Sequence, residues 1–269
     1  VIINAVVFDG NTELLTLRLN ELDDVVDKFY IIESELTLSG HITKLVYPDF
    51  ISLWSRWKDK IAYVRVPAFV ISTQNKTLCN LVEDRYAYIC NYLKRIIPEI
   101  DDDAVFVITN NDEIPSSAAL SSYHPQQGAV CCMTNFCHFY FNYSSVNKRW
   151  HMPRLLPGHV YNRLYVQELR DYPELCKIDN AGWRFAYLMG EQGLQAIRAK
   201  LWSEQSLRYR HTLPVLKAIQ NKVPVDMKKL NSQYDSNSGY LFRKVGIDSS
   251  YPKYVLDNLN QYKKRGYIL

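Results

Sequence analysis

No stretch of this 269-residue sequence approaches the roughly 20 uninterrupted apolar residues that a membrane-spanning helix requires, so no transmembrane segment is expected. The opening residues read as a strand and not as a cleavable signal. The sequence starts at Val1 without an initiator Met, which leaves room for a trimmed leader or anchor. The expected location is cytoplasmic or peripheral to a membrane, or the Golgi lumen if such an anchor existed. Cys79, Cys90, Cys131, Cys132, Cys137 and Cys176 form no CxxC pair or other zinc spacing, and two are adjacent, a poor arrangement for a disulfide framework. Reduced, mostly buried thiols are expected. There is no fixed-period repeat, no GxGxxG, no Walker A sequence and no GxSxG, and the six histidines form neither HExxH nor a Cys/His zinc pattern. Rossmann dehydrogenase, P-loop NTPase, serine hydrolase and zincin readings all lose their main support.

What is present is a 47% hydrophobic composition, enough to bury a core in a single domain spanning 1–269. A net charge of +4 falls short of what nucleic-acid binders usually carry and suits a phosphorylated small ligand. Aromatic residues reach 13%, with twenty Tyr. Their faces stack on sugars and bases, but Tyr is also a common half-buried strand residue.

Val1 to Phe8 is an apolar run ended by Asp9-Gly10-Asn11, a turn signal, and reads as a buried strand. Leu14, Leu15, Leu17, Leu19, Leu22 and Val25 then alternate at helical spacing with Glu13, Arg18, Glu21 and Asp24, with Asn11 or Thr12 as N-cap. Lys28 to Glu33 is a second strand, which makes a βαβ unit with parallel strands and a right-handed crossover. Ile61 to Val66 is a third strand, and Leu78 to Ile97 is helical until Pro98 stops it. Gly128 to Val146, and the segment through Tyr165, read as an antiparallel addition. Helices return at about 193–207 and after Pro252.

The strongest chemical signal lies between these halves. Ala104 to Thr109 is a fourth buried strand that ends in Asn110-Asn111-Asp112-Glu113-Ile114-Pro115. Polar and acidic residues at the C-terminal end of a parallel strand sit where open α/β sheets bind ligands. A carboxylate there can hold Mg2+ or Mn2+ together with a substrate diphosphate. On spacing alone a solvated loop, with Ser116 and Ser117 capping the next helix, is an equally good reading.

The order of motifs adds to this. Asn4 to Phe8, Glu13 to Leu22, and Val26 to Ser34 with Thr37-Leu38-Ser39-Gly40 resemble glycosyltransferase family 17, which includes the bisecting β-1,4-N-acetylglucosaminyltransferase of N-glycans. Asp84-Arg85, Val105 to Pro115, Asn180-Ala181-Gly182-Trp183 and Tyr251-Pro252-Lys253-Tyr254 continue the resemblance. It implies a GT-A-like, Rossmann-type mixed sheet. Residues 1–115 would form a parallel nucleotide-sugar-binding half and 116–269 an antiparallel acceptor half with C-terminal helices. It also implies an inverting glycosyltransferase that moves a sugar, N-acetylglucosamine by analogy, from a UDP-sugar donor to a glycan hydroxyl with a divalent cation.

On that resemblance Asp112 carries the metal, and Phe8, Asp9, Glu33, Arg85, Asn110 and Asn111 are donor-side candidates. Trp183 is the acceptor candidate, and Asp179, Glu191 and Glu204 are alternative bases. The departures matter as much. Asn110 replaces the first Asp of the family's Asp-x-Asp, and Arg184 replaces the His after Gly-Trp. Arg184 brings a permanent cation able to hold phosphate bidentately. Two other classes stay open at this point: a catalytically silent nucleotide-sugar- or glycan-binding module, and a basic nucleic-acid-associated protein, although no nucleic acid is expected as partner. The basic tail reads as a solvated face or a phosphate or membrane-surface contact. Two sequons, Asn75-Lys76-Thr77 and Asn142-Tyr143-Ser144, are also present.

Overall fold

The computed structural model describes residues 1–74, 76–188, 190 and 240–269. Four parallel strands form its N-terminal half: β1 (Ile2–Val7), β2 (Lys28–Ser34), β3 (Ile61–Val66) and β4 (Val105–Asn110), in the spatial order β4-β1-β2-β3. Each lies within a residue or two of the run that predicted it. Helix α1 (Thr12–Leu22) makes the first crossover, and Asn11 caps it by accepting the Leu14 N–H at 3.1 Å. The second crossover runs through α2 (Tyr47–Phe50) and a 3-10 turn at Ile51–Trp57, between Gly40 and the third strand where the sequence offered no reading.

Alternation along the strands explains why they read as continuous apolar runs. Val6, Phe29, Ile31 and Val107 face α1 and the Trp54–Trp57 turn. Ala5, Ile32, Phe106 and Ile108 face the opposite layer, built from α3 (Leu78–Asn91), α5 (Gly158–Arg163) and α6 (Val166–Arg170). A sheet covered on both sides has no polar face to alternate with.

The second half joins along β4. β8 (Trp150–Pro157) pairs antiparallel with β4 through Val105 and Phe106, and continues antiparallel to β6 (Val130–His138). β7 (Tyr143–Ser145) and β10 (Phe242–Lys244) extend that edge. One pairing departs from the expected antiparallel addition: β9 (Cys176–Ala186) runs parallel to β6, because α5 and α6 carry the chain back across the sheet before β9 begins. β5 (Glu113–Pro115), the continuation of the polar turn, pairs antiparallel with β9. Ser116 caps α4 (Ser117–Ser122), accepting the Ala119 N–H at 3.2 Å. A third core cluster brings the C-terminal helices Lys253–Asp257 and Leu259–Lys264 against Leu14 and Leu17 of α1.

Cys90, Cys131, Cys132 and Cys137 are buried free thiols, and Cys176 is an exposed one. Burial pushes the Cys90 and Cys137 thiols up to about 12, the opposite of what a nucleophile needs. Many of the tyrosines serve packing, Tyr161, Tyr251, Tyr262 and Tyr267 among the buried ones. Asn142 of the second sequon is buried too. Its Nδ2 donates to the carbonyls of Val245 and Leu269, and its Oδ1 accepts the Leu269 N–H at 2.8 Å. No helix among the described residues is long and apolar enough to cross a membrane.

Candidate active site

The polar turn after β4 is shaped from below by a residue that the sequence reading placed among the polar positions of α1. Arg18 is fully buried. Its Nη2 donates to the carbonyls of Asn110 at 2.8 Å, Asn111 at 3.4 Å and Glu113 at 2.6 Å, while Nη1 donates to Asn4 Oδ1. Burial pulls its pKa down to about 9, opposed by Glu113, Asp112 and Asp9. A guanidinium is suited to gather several carbonyls that point one way. The available signal was its place on the Leu14, Leu15, Leu19 and Leu22 stripe of the helix.

Glu113, also buried, locks the turn from the other side. Its carboxylate takes both Nη atoms of Arg170, at 2.9 and 3.0 Å, and also accepts the Asn110 N–H and the Trp150 Nε1–H, each at 3.0 Å. Burial alone would raise its pKa, but the Arg170 charge overrides it and holds the carboxyl at about 2. Neither Arg170 nor Trp150 carries a sequence signal, since both lie on elements remote in the chain.

Between these two anchors stands Asp112. Its Oδ2 lies 3.3 Å from Arg184 Nε, and its side chain is 7% exposed against 18% for Arg184. The Arg184 guanidinium lies 3.8 Å from the centre of the Trp150 ring and 4.9 Å from that of Phe136. Strand pairing sets this contact, because Glu113 faces Arg184 in the β5–β9 register.

The other candidates fall into distinct places. Asp9 Oδ1 accepts from Asn111 Nδ2 at 2.8 Å, and Asn111 Nδ2 also donates to the Asn11 carbonyl. Asn111 Oδ1 is buried with no hydrogen-bond partner. Asn110 Oδ1 accepts the Tyr86 hydroxyl at 2.9 Å. A cleft of about 160 Å3 opens at the ends of β1 and β2, lined by Asp9, Gly10, Glu33, Thr37 and Lys44 among others. Arg85 braces its rim, donating to the Leu38 carbonyl at 2.8 Å and lying under Gly40, where a Cβ would meet its Nη2 at 2.7 Å.

Three of the candidates are held largely by the protein's own packing and hydrogen bonds. Phe8 is buried edge-on against Trp54 and also lines the cleft at the ends of β1 and β2. Glu33 spends both oxygens on protein donors, accepting the Val46 and Tyr47 N–H groups at 2.6 and 3.1 Å and the Tyr63 hydroxyl at 2.9 Å. Trp183 is 6% exposed, packed in the third core cluster with its Nε1 donating to the Ser250 carbonyl, so its ring offers no open face to a sugar. Asp179 is exposed on β9. Glu191 and Glu204, like the helix expected at 193–207 and Asn75 of the first sequon, lie outside the described residues.

Mg2+ and Mn2+ in such a site are held by one or two open carboxylates together with the substrate's phosphates. Here Glu113 and Glu33 are saturated by protein donors, Asn110 Oδ1 is taken by Tyr86, and Asp112 already faces a cation. No group of three His, Cys, Asp or Glu side chains among the described residues is placed to hold a metal ion. The donor set at this turn does not fit the divalent cation that the resemblance implied.

Comparison with solved structures finds the galactosyltransferase LgtC in complex with donor and acceptor sugar analogues, at 10% identity over 65% of this chain and 66% of that one, TM-score 0.33. HddC from Yersinia pseudotuberculosis matches at 10% identity over 69% and 90%, TM-score 0.36. Glucosyl-3-phosphoglycerate synthase from Mycobacterium tuberculosis, in complex with Mn2+, UDP and phosphoglyceric acid, matches at 10% identity over 95% and 91%, TM-score 0.29. This chain spans just under two thirds of LgtC, and TM-scores this low assign no activity. No curated protein sequence matches. The family model for glycosyltransferase family 17 matches residues 1–156, from β1 through the polar turn and most of β8, and leaves Gly182-Trp183 and Tyr251 to Tyr254 outside its range. With more than half of its length matched, the chain belongs to glycosyltransferase family 17.

Proposed function

We propose that this glycosyltransferase takes a nucleoside-diphosphate sugar, with UDP-N-acetylglucosamine as working donor, and passes the sugar to a glycan hydroxyl with inversion. The supporting observation is the Asp112–Arg184 pair in the turn after a parallel strand, joined to the cleft at the ends of β1 and β2 through the Asn111–Asp9 hydrogen bond. A guanidinium at that place complements a diphosphate. Asp9 and Lys44 on the cleft wall suit the ribose and the phosphates respectively. The acceptor side falls to residues 116–269 within one domain.

Inverting transfer requires a single displacement. The acceptor oxygen bonds to the anomeric carbon as the bond to the diphosphate oxygen breaks, the electron pair leaves with the diphosphate, and a carboxylate takes the hydroxyl proton. Asp179, on β9 five residues before Arg184, is the described candidate for that base.

A thermal-shift panel of nucleotide sugars tests the donor, since a ligand that binds only the native state raises the melting temperature by mass action. UDP-N-acetylglucosamine is expected to give the largest shift. A shift by another nucleotide sugar and none by any UDP-sugar would overturn the donor assignment. Binding with neither hydrolysis nor transfer would turn the enzyme into a binding module.

A further inference from the structure

The misfit between the polar turn and a divalent cation has a positive side. Where a metal-bearing carboxylate would face the diphosphate, Asp112 has its Oδ2 turned to Arg184 Nε, and Arg184 is the more exposed partner of the two. The guanidinium is fixed in place rather than trailing on a flexible stem. Its Cζ lies 3.8 Å from the centre of the Trp150 ring and 4.9 Å from that of Phe136, and the β5–β9 register sets its backbone. Trp150 in turn is held by Glu113, which the Arg170 fork keeps ionised and oriented. The site therefore carries a preorganised guanidinium, partnered by Asp112, at the turn where a departing diphosphate would gather charge, the kind of electrostatic stabilisation that contributes most when it need not reorganise.

We infer that Arg184 is the cation of this transferase, and that donor binding and sugar transfer proceed without a divalent metal. The inference rests on the nucleotide-sugar reading above. Arg184 stabilises the diphosphate oxygens as the anomeric carbon–oxygen bond breaks. Trp150 and Glu113 are positioning residues that act through it.

The full chain, stripped with EDTA and desalted, is tested in two ways: UDP affinity by calorimetry and UDP release from UDP-N-acetylglucosamine, each with EDTA or with Mn2+. Affinity and turnover in EDTA are expected to stay within about twofold of their values in Mn2+. Arg184→Ala is expected to lower turnover by about 100-fold, the scale seen when one transition-state donor is removed. Arg184→Lys should recover part of the UDP affinity. Trp150→Leu should weaken UDP binding while leaving any metal response absent.

Loss of UDP binding and turnover in EDTA, restored by Mn2+, would overturn the inference and leave the donor reading standing. So would an Arg184→Ala variant, folded by circular dichroism, with parental turnover. If that variant fails to fold, the parent's EDTA comparison decides alone. Failure to bind any nucleotide sugar with or without Mn2+ would remove the donor reading and this inference with it.

Discussion

Gly182 on β9 lies so close to Ile114 on β5 that a Cβ added to it would sit 2.2 Å from the Ile114 carbonyl oxygen, and 2.7 and 2.9 Å from Pro115 Cα and Ser116 N. All three obstacles are backbone, and the glycine's φ of +140° is itself unfavourable for other residues. Gly182→Ala is therefore expected to destabilise the fold by about 3 kcal/mol, near the upper end of ordinary single substitutions. Thermal or urea denaturation reads this directly; an unchanged midpoint would mean that β5 does not pack on β9 in this register.

Arg18 offers a second test, because removing it leaves carbonyls under the turn without their donor. Arg18→Met should cost about 1–3 kcal/mol, the usual scale for leaving buried acceptors without their donor. The methylene stem keeps most of the volume, so the loss is electrostatic rather than a cavity. The variant should also bind UDP more weakly than a surface control such as Lys58→Met, because Asn110 to Glu113 lose their support. Equal UDP affinity in the two would separate Arg18 from the site.

Stability against pH reports on Glu113. Its carboxyl is held at about 2 in the folded protein against an ordinary 4.5, so its contribution is complete above about 4.5 and drains away as pH falls toward 2. Burial holds Glu33 and Glu21 above the usual range, which gives the opposite sign: their contribution is complete below the ordinary value and fades as pH rises past their raised values. Urea midpoints from pH 2 to 7 should show an acid-limb loss that Glu113→Gln flattens while lowering the neutral plateau. A parallel limb in that variant would assign the acid sensitivity to other carboxylates.

Asn142 predicts an absence. With both ends of its amide engaged by Val245 and Leu269, the folded protein should resist glycosylation there despite the Asn-Tyr-Ser sequence. Intact-mass analysis after exposure of folded protein to an oligosaccharyltransferase checks this. Asn142→Ala should lose about 2 kcal/mol by stranding buried backbone groups.

The parallel half was legible because each strand is covered on both faces and therefore has an uninterrupted apolar signature, with Asn11 marking a helix start; the helix expected to run to Pro98 ends instead at Asn91 and passes into a 3-10 turn at Tyr92–Arg95. The Asp112 turn was legible as a strand-end acid and as a family motif. Its support was not. Arg18 looked like one more polar residue in an amphipathic helix, and Arg170 and Trp150 become neighbours of Glu113 only once α6 and β8 have folded. Trp183 illustrates the reverse failure. Its neighbours Gly182 and Arg184 lie opposite Pro115 and Glu113, yet alternation along β9 sends its ring into the core. Strand parity, not proximity in sequence, decided which of these residues reaches the site.

The seam at β4 bears on how the molecule is assembled. β4 meets β1 on one side and β8 on the other, so the strand that leads into the Asp112 turn is also the join between the two halves. During synthesis its β8-facing edge waits for residues 156 and 157, some fifty positions later. Such long-range closure is slow and exposes an unpaired strand while it lasts. A fragment cut after residue 115 would keep β1 to β4 and still present that bare edge, so it should self-associate instead of yielding a stable donor-binding piece.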